Sequence, residues 1–276
     1  MFSFINQKIF SRFELSKKYR SMNLSIAERH QFILNRLKLQ GYVNVSELSK
    51  ELKVSTVTIR KDLKLLEDRK LLFRTHGSAT PENPYIANRP VNEKEKFQVE
   101  QKQLIATRAL QLIEPNDSII LASGTTINEF ARQIKPKEGL TVICSSLIAA
   151  QNLIGQNEIE IIQLGGLLRK SSSSVVGPHA EKMLEMFNCN RLFIGVDGID
   201  PDYGLTTTNA LEASLNQTMI EASHKVIVLA DSTKFGRKGF SRICGLERVD
   251  TIITDKDAPE KLIEKCREKG VEVVIA

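Results

Sequence analysis

Five short polar clusters, each following an apolar run, carry the residues that could do chemistry in this chain. They are Ser123-Gly124-Thr125-Thr126, Ser145-Ser146, Gly165-Gly166, Asp197-Gly198-Ile199-Asp200 and Asp231-Ser232-Thr233-Lys234. Gly124 permits close backbone approach, and the N–H groups of Thr125 and Thr126 at a helix start, with their hydroxyls, form a nest for phosphate. Lys234 offers a charge-assisted contact to the same anion, while Asp197 can accept hydrogen bonds from sugar hydroxyls. A single Gly-Thr turn often does no more than cap a helix. Five polar strand ends in order favour a ligand crevice over turn chemistry alone.

A second chemistry lies upstream, in VSELSKELKVSTVTIRKDLKLLEDR, residues 45–69, which reads as two short helices meeting at a tight turn. Ser46 is the expected cap of the first helix, and Ser55 or Thr56 that of the second. The second helix keeps Ile59, Leu63 and Leu66 on one side and turns Val57, Arg60, Lys61 and Lys64 to the other. That outer face fits a major groove: Arg60 and Lys61 reach phosphates or guanine edges, and Thr56 or Val57 touches a thymine methyl, with Ser55 and Thr58 beside them. An amphipathic helix with solvated charges has the same pattern. The sequel LLFRTHGSA, residues 71–79, decides for DNA, because it reads as a short β-wing with Arg74 and His76 at its tip and Gly77 at the turn.

The elements that hold these groups follow from periodicity. A first helix runs from Ser25, marked by Ile33, Leu34 and Leu37, to Gly41. Residues 25–80 then make a winged helix-turn-helix, and 81–97, with three prolines among polar residues, make a linker. Beyond a helix from Gln101 to Ile113, apolar strands at 118–123, 140–146, 159–165, 191–198, 225–231, 249–255 and 271–276 alternate with helix-sized stretches at 126–135, 147–155, 178–188, 210–223 and 258–269. Such alternation gives an α/β domain, residues 98–276, whose mostly parallel sheet is covered by helices on both faces. Ligands in that architecture collect beyond the carboxyl ends of strands. Residues 1–24 have neither period nor cap and are expected to be disordered, or to result from a start codon assigned too far upstream of Met22.

Charge divides as the domains do. Residues 1–90 hold 17 Lys/Arg against 8 Asp/Glu, and residues 91–276 hold 22 against 25. A basic front module and a faintly acidic body suggest that double-stranded DNA meets the front and another ligand the body. Cys144, Cys189, Cys244 and Cys266 lie too far apart for a zinc or redox motif, and buried reduced thiols in a cytoplasmic protein are expected. His30, His76, His179 and His224 show no metal spacing either. No run approaches the roughly 20 apolar residues of a membrane span, and no cofactor is expected.

TIRKDL at 58–63 together with the wing resembles the DeoR family of bacterial transcriptional regulators. The resemblance extends to the C-terminus through SGTT (123–126), LGG (164–166), GP (177–178), FIGVDGIDPDYGLTT (193–207) and LADSTKFG (229–236), in the family's order. Three segments depart from the family pattern: Ser78 stands at a usual wing glycine, Ala122 at an aspartate, and Cys144-Ser145-Ser146 at Thr-Asn-Ser. The resemblance implies an operator-binding repressor, working as a homo-oligomer held by its sensing domain. Its effector would be a phosphorylated sugar or related metabolite. It also implies kinship with ribose-phosphate isomerases, whose acidic loop DGID at 197–200 is similar to, so the alternative is an active sugar-phosphate isomerase with Asp197 or Asp200 as base and Lys234 stabilising an enediolate. Arg169 and Lys170 with the following serines read as an exposed loop, and KFGRKGF (234–240) as a flexible flap over the pocket.

Overall fold

The structure, a computed structural model, describes residues 24–40, 42–75, 77–80, 90–135 and 138–276. The expected N-terminal extension up to residue 23, the helix stop at Gly41, His76 and linker residues 81–89 lie outside the described residues. The chain divides into two units, Met1–Pro84 and Tyr85–Ala276.

In the first unit, Ser25 and Glu28 open helix α1 (Ile26–Gln40) with a reciprocal capping box: Glu28 N–H donates to Ser25 Oγ, and Ser25 N–H donates to the Glu28 carboxylate. Helix α1 buries Phe32, Ile33 and Leu37 against α2 (Val45–Leu52) and α3 (Thr56–Asp68). The cap of α2 is Asn44, not Ser46. Strand β1 (Val43–Asn44) runs straight into the helix, so it is the Asn44 carboxamide that accepts from the N–H groups of Ser46 and Glu47. Ser55 caps α3 as its sequence suggests, accepting from Thr58 N–H. The wing, β2 (Phe73–Thr75) and β3 (Ser78–Thr80), is an antiparallel hairpin, and β1 adds a third strand against β3.

The second unit is built on a seven-stranded parallel sheet. Its strands are β4 (Ser118–Leu121), β5 (Thr141–Cys144), β6 (Glu160–Gln163), β9 (Cys189–Ile194), β12 (Ser223–Leu229), β14 (Thr251–Thr254) and β15 (Glu272–Ile275), in the order β15-β14-β12-β9-β4-β5-β6. Apolar strands fit because both faces are covered, one core forming around Phe130 and Phe193 and the other around Leu192, Met219 and Val228. Chain order reverses between β4 and β9: from β4 the sheet grows one way through β5 and β6, and from β9 the other way. That reversal opens a gap at the carboxyl ends of the two strands.

Two small antiparallel pieces had no sequence signal. One is the hairpin β7 (Leu167–Arg169) with β8 (Ser174–Val176), and the other is β10 (Gly198–Asp200), β11 (Gly204–Thr207) and β13 (Ser241–Cys244). The strand expected over 191–198 therefore stops at Ile194, and Gly198–Asp200 turns into a sheet of its own. Only glycine fits at 198, where a Cβ would meet the Arg237 carbonyl. KFGRKGF is correspondingly not a free flap: Phe235 is buried, Gly236 N–H donates to Ile199 O, and Gly239 N–H donates to Thr206 Oγ1. Cys144, Cys189 and Cys266 are buried, Cys244 only partly, and no disulfide joins them.

Residues 90–97, expected as the end of the linker, belong to this unit. Pro90 leads into a short helix, α4 (Val91–Lys94), whose first residue is buried and donates its N–H to Ser171 O. Helix α5 (Val99–Ala109) follows.

Candidate functional site

The gap between β4 and β9 is a crevice open to solvent at the carboxyl ends of the strands. Its floor comes from three neighbouring strand ends: Ser123 and Gly124 after β4, Gly195 to Asp197 after β9, and Leu229 and Lys234 at and after β12. Helix α6 (Thr125–Gln133) starts at this floor. Gly124 precedes it at φ +134°, a conformation that favours glycine, and no side chain caps the first amides. Those N–H groups remain a nest for an anion.

Asp197 is the hub of the floor. Lys94 Nζ reaches its Oδ1 at 2.8 Å, and Thr207 Oγ1 and Thr208 N–H donate to its Oδ2 at 3.2 and 3.3 Å. Burial opposes charge on this carboxyl, but the ammonium groups of Lys94 and Lys234 overcome it and hold the group well below the usual carboxylate range. Burial pushes Lys234 down in turn, offset by Asp231 and Asp197. On the other wall, Glu212, near the start of α8 (Ala210–Glu221), accepts from Ser123 Oγ at 2.6 Å, lies 3.3 Å from the Thr207 hydroxyl that it shares with Asp197, and pairs with Arg169 of β7 at 3.3 Å. Behind the crevice, buried Lys102 of α5 donates to the carbonyls of Lys94 and Phe97 at 2.6 and 2.5 Å. Burial lowers its ammonium to about 8.

Of the effector residues expected from sequence, Ser123, Gly124, Thr125, Thr126, Asp197 and Lys234 line this one crevice. Ser145, Ser146, Gly165, Gly166, Gly198 and Asp200 do not. The β7–β8 hairpin covers the end of β5: Val175 N–H donates to Ser145 O, while Ser146 Oγ caps α7 (Leu147–Leu153) and donates to Asn128. Gly165 and Gly166 form the exposed turn into β7. Asp200 spends its carboxylate on the N–H groups of Asp202 and Tyr203. In their stead the crevice gains Lys94, Arg169, Ser171, Ser172, Thr207 and Glu212. Arg169, expected in an exposed loop, has a side chain only 12% exposed.

In the first unit, α3 leaves Val57 57% exposed, with Arg60, Lys61 and Lys64 exposed on the same face. Ser55 and Thr58 share a hydroxyl hydrogen bond at the helix start, next to half-buried Thr56. Arg74 stands within β2, not at the tip. Its N–H donates to Glu67, and its guanidinium lies 3.6 Å from the same carboxylate. Asp62, on the buried face, went unnoticed in sequence: it takes Arg29 and His30 of α1 as partners.

Among the described residues no helix is long and apolar enough to cross a membrane, and no group of His, Cys, Asp and Glu side chains could hold a metal ion. A family model described as the DeoR-like helix-turn-helix domain matches residues 29–84, and one described as the DeoR C terminal sensor domain matches residues 97–256. The chain is 36% identical to the HTH-type transcriptional regulator GlpR of Haloferax volcanii over 90% of its own length and 97% of that protein. To the glycerol-3-phosphate regulon repressor of Escherichia coli K12 it is 29% identical over 86% and 94%. Ribose 5 phosphate isomerase A from Neisseria gonorrhoeae superposes on 50% of the chain and 54% of its own, with 17% identity and a TM-score of 0.38. With both its domain models matched in order and relatives aligned along nearly their whole length, the chain belongs to the DeoR family of transcriptional regulators.

Proposed function

We propose that this regulator is a repressor that binds its operator through α3 and the wing, and that a phosphorylated sugar or sugar-like metabolite in the β4–β9 crevice controls that binding. The observation that carries the reading is the charge arrangement at the strand ends. Three cations, Lys94, Arg169 and Lys234, surround the uncapped start of α6, while Asp197 and Glu212 stand beside them. A phosphate needs the first set, and neighbouring hydroxyls need acceptors of the second kind. The names of relatives agree with it, one being a repressor of a glycerol-3-phosphate regulon.

On the DNA side, Ser55, Thr56, Val57, Thr58, Arg60, Lys61 and Lys64 form the reading face, with Arg74 and His76 of the wing on backbone phosphate. One winged domain offers little contact area, so a homo-oligomer joined through the sensing unit and a two-fold operator complete the reading. The crevice works by binding alone, in a cytoplasmic protein without a cofactor. The linkage is thermodynamic: effector and DNA favour different arrangements of the subunits.

Titration of the full chain with a set of sugar phosphates, read by thermal shift, tests the effector. Thr125→Val and Lys234→Ala each remove a contact to the anion and are expected to cost about 1–3 kcal/mol of affinity for the best ligand. Binding undiminished in both variants would rule out this seat. Turnover of that ligand at about 1 per second or faster would replace the sensor by an isomerase.

A further inference from the structure

Lys94 differs from the other groups of the crevice in where it comes from. It is the last residue of α4, the first helix of the second unit among the described residues. Four residues of helix are too few to hold themselves, so α4 keeps its place through contacts with the body. Val91 contributes a buried side chain and one N–H bond to Ser171, Lys102 holds the carbonyls of Lys94 and Phe97, and Lys94 reaches across to Asp197. Ser171 and Val91 themselves line the crevice. Three of these four attachments therefore border the space that the effector would fill.

We infer that Lys94 is the coupling residue of the sensor: an anion seated in the crevice clamps α4 onto the body through the Lys94 ammonium, and so fixes the point where the chain to the DNA reader leaves the sensing unit. This rests on the proposed crevice as the effector's seat. Lys94 pairs with the Asp197 carboxylate, and its side chain is 31% exposed. A phosphate between Lys94, Arg169 and Lys234 adds a second, doubly charged partner, and the ammonium can serve both because it carries three donors. Lys102 supports the clamp in the same direction: burial disfavours its charge, and an added anion opposes that effect and favours the ammonium that holds the two carbonyls. Lys94 is thus a ligand of the effector and a positioning residue for α4 at once.

Hydrogen exchange of the full chain, with inorganic phosphate as the probe, separates the two roles. In the unaltered chain phosphate is expected to slow exchange at 124–126 and also at 91–98, by roughly tenfold at the latter, the factor of one charge-assisted hydrogen bond. Lys94→Gln should need more phosphate for the response at 124–126 and, at a concentration that restores that response in full, still show none at 91–98, whereas Lys94→Arg should keep both. Slowing at 124–126 without any at 91–98 in the unaltered chain overturns the clamp and leaves the anion seat standing. An undiminished response at 91–98 in Lys94→Gln overturns the clamp as well. No response at either segment removes the anion seat, and the clamp with it.

Discussion

The carboxylate of Asp62 accepts two hydrogen bonds from the guanidinium of Arg29, from Nε at 2.8 Å and from Nη2 at 3.1 Å. This fork ties the recognition helix α3 to α1, with His30 Nε2 at 3.2 Å from the same group. Both side chains of the fork are nearly out of water, 11% and 4% exposed. Removing one partner leaves a buried charge uncompensated, so Asp62→Ala is expected to destabilise the reader by about 3–5 kcal/mol in urea denaturation. Glu51→Ala breaks the more exposed Arg36 pair and should cost less than about 1 kcal/mol. Equal losses in the two variants would show that Asp62 is no anchor.

Arg60 and Lys64 share the exposed face of α3 but not the same task. Arg60 stands within the first two turns, and in the proposed docking it meets a base edge, so Arg60→Ala should weaken operator binding by about 1–3 kcal/mol while relaxing specificity at one base. Lys64 lies one turn farther along α3, and in the proposed docking it meets the DNA backbone, so Lys64→Ala should weaken binding to all sequences alike and lower its salt dependence by about one charge. Binding assays on the operator and on scrambled DNA at several salt concentrations distinguish the two. An Arg60→Ala variant that keeps full affinity and full specificity would remove α3 from the major groove.

Lys102 gives the protein a pH dependence in an unusual range. Its folded-state value of about 8 lies below the ordinary 10.5, so between those two pH values the unfolded chain binds more protons at this residue than the folded one. Stability then rises with pH across that window, and the cost of the buried charge is fully present below it. The difference in unfolding free energy between the unaltered chain and Lys102→Met should accordingly move in favour of the unaltered chain from about pH 8 to 10.5. A difference that stays flat across the window would mean that Lys102 titrates as an exposed lysine does.

The reading helix and the parallel sheet were legible in the sequence because their signals are local. Ser55 caps within its own helix, Leu63 and Leu66 repeat with the helical period, and strands buried on both faces read as unbroken apolar runs. Half of the crevice was legible too, since Gly124, Thr125 and Lys234 sit where strands stop. The other half was not, because it depends on pairings between distant residues. Lys94 meets Asp197 across 103 positions and Ser123 meets Glu212 across 89, and in the run NEKEKF nothing sets Lys94 apart from its solvated neighbours. Arg169 was hidden for another reason: a three-residue strand has too little length to show a period.

The two residues of β1 carry a consequence for the order in which the reader assembles. Val43 and Asn44 pair with Ala79 and Ser78, across some 35 positions of chain, while Asn44 caps α2 and Val45 N–H donates to Gly77 O. A two-stranded hairpin is marginal by itself in water, and the third strand that would secure it reaches the wing only after α2 and α3 have folded back upon α1. The wing's third strand is therefore held only while α2 and α3 stay folded between its two ends, so loosening of those helices is expected to release the wing.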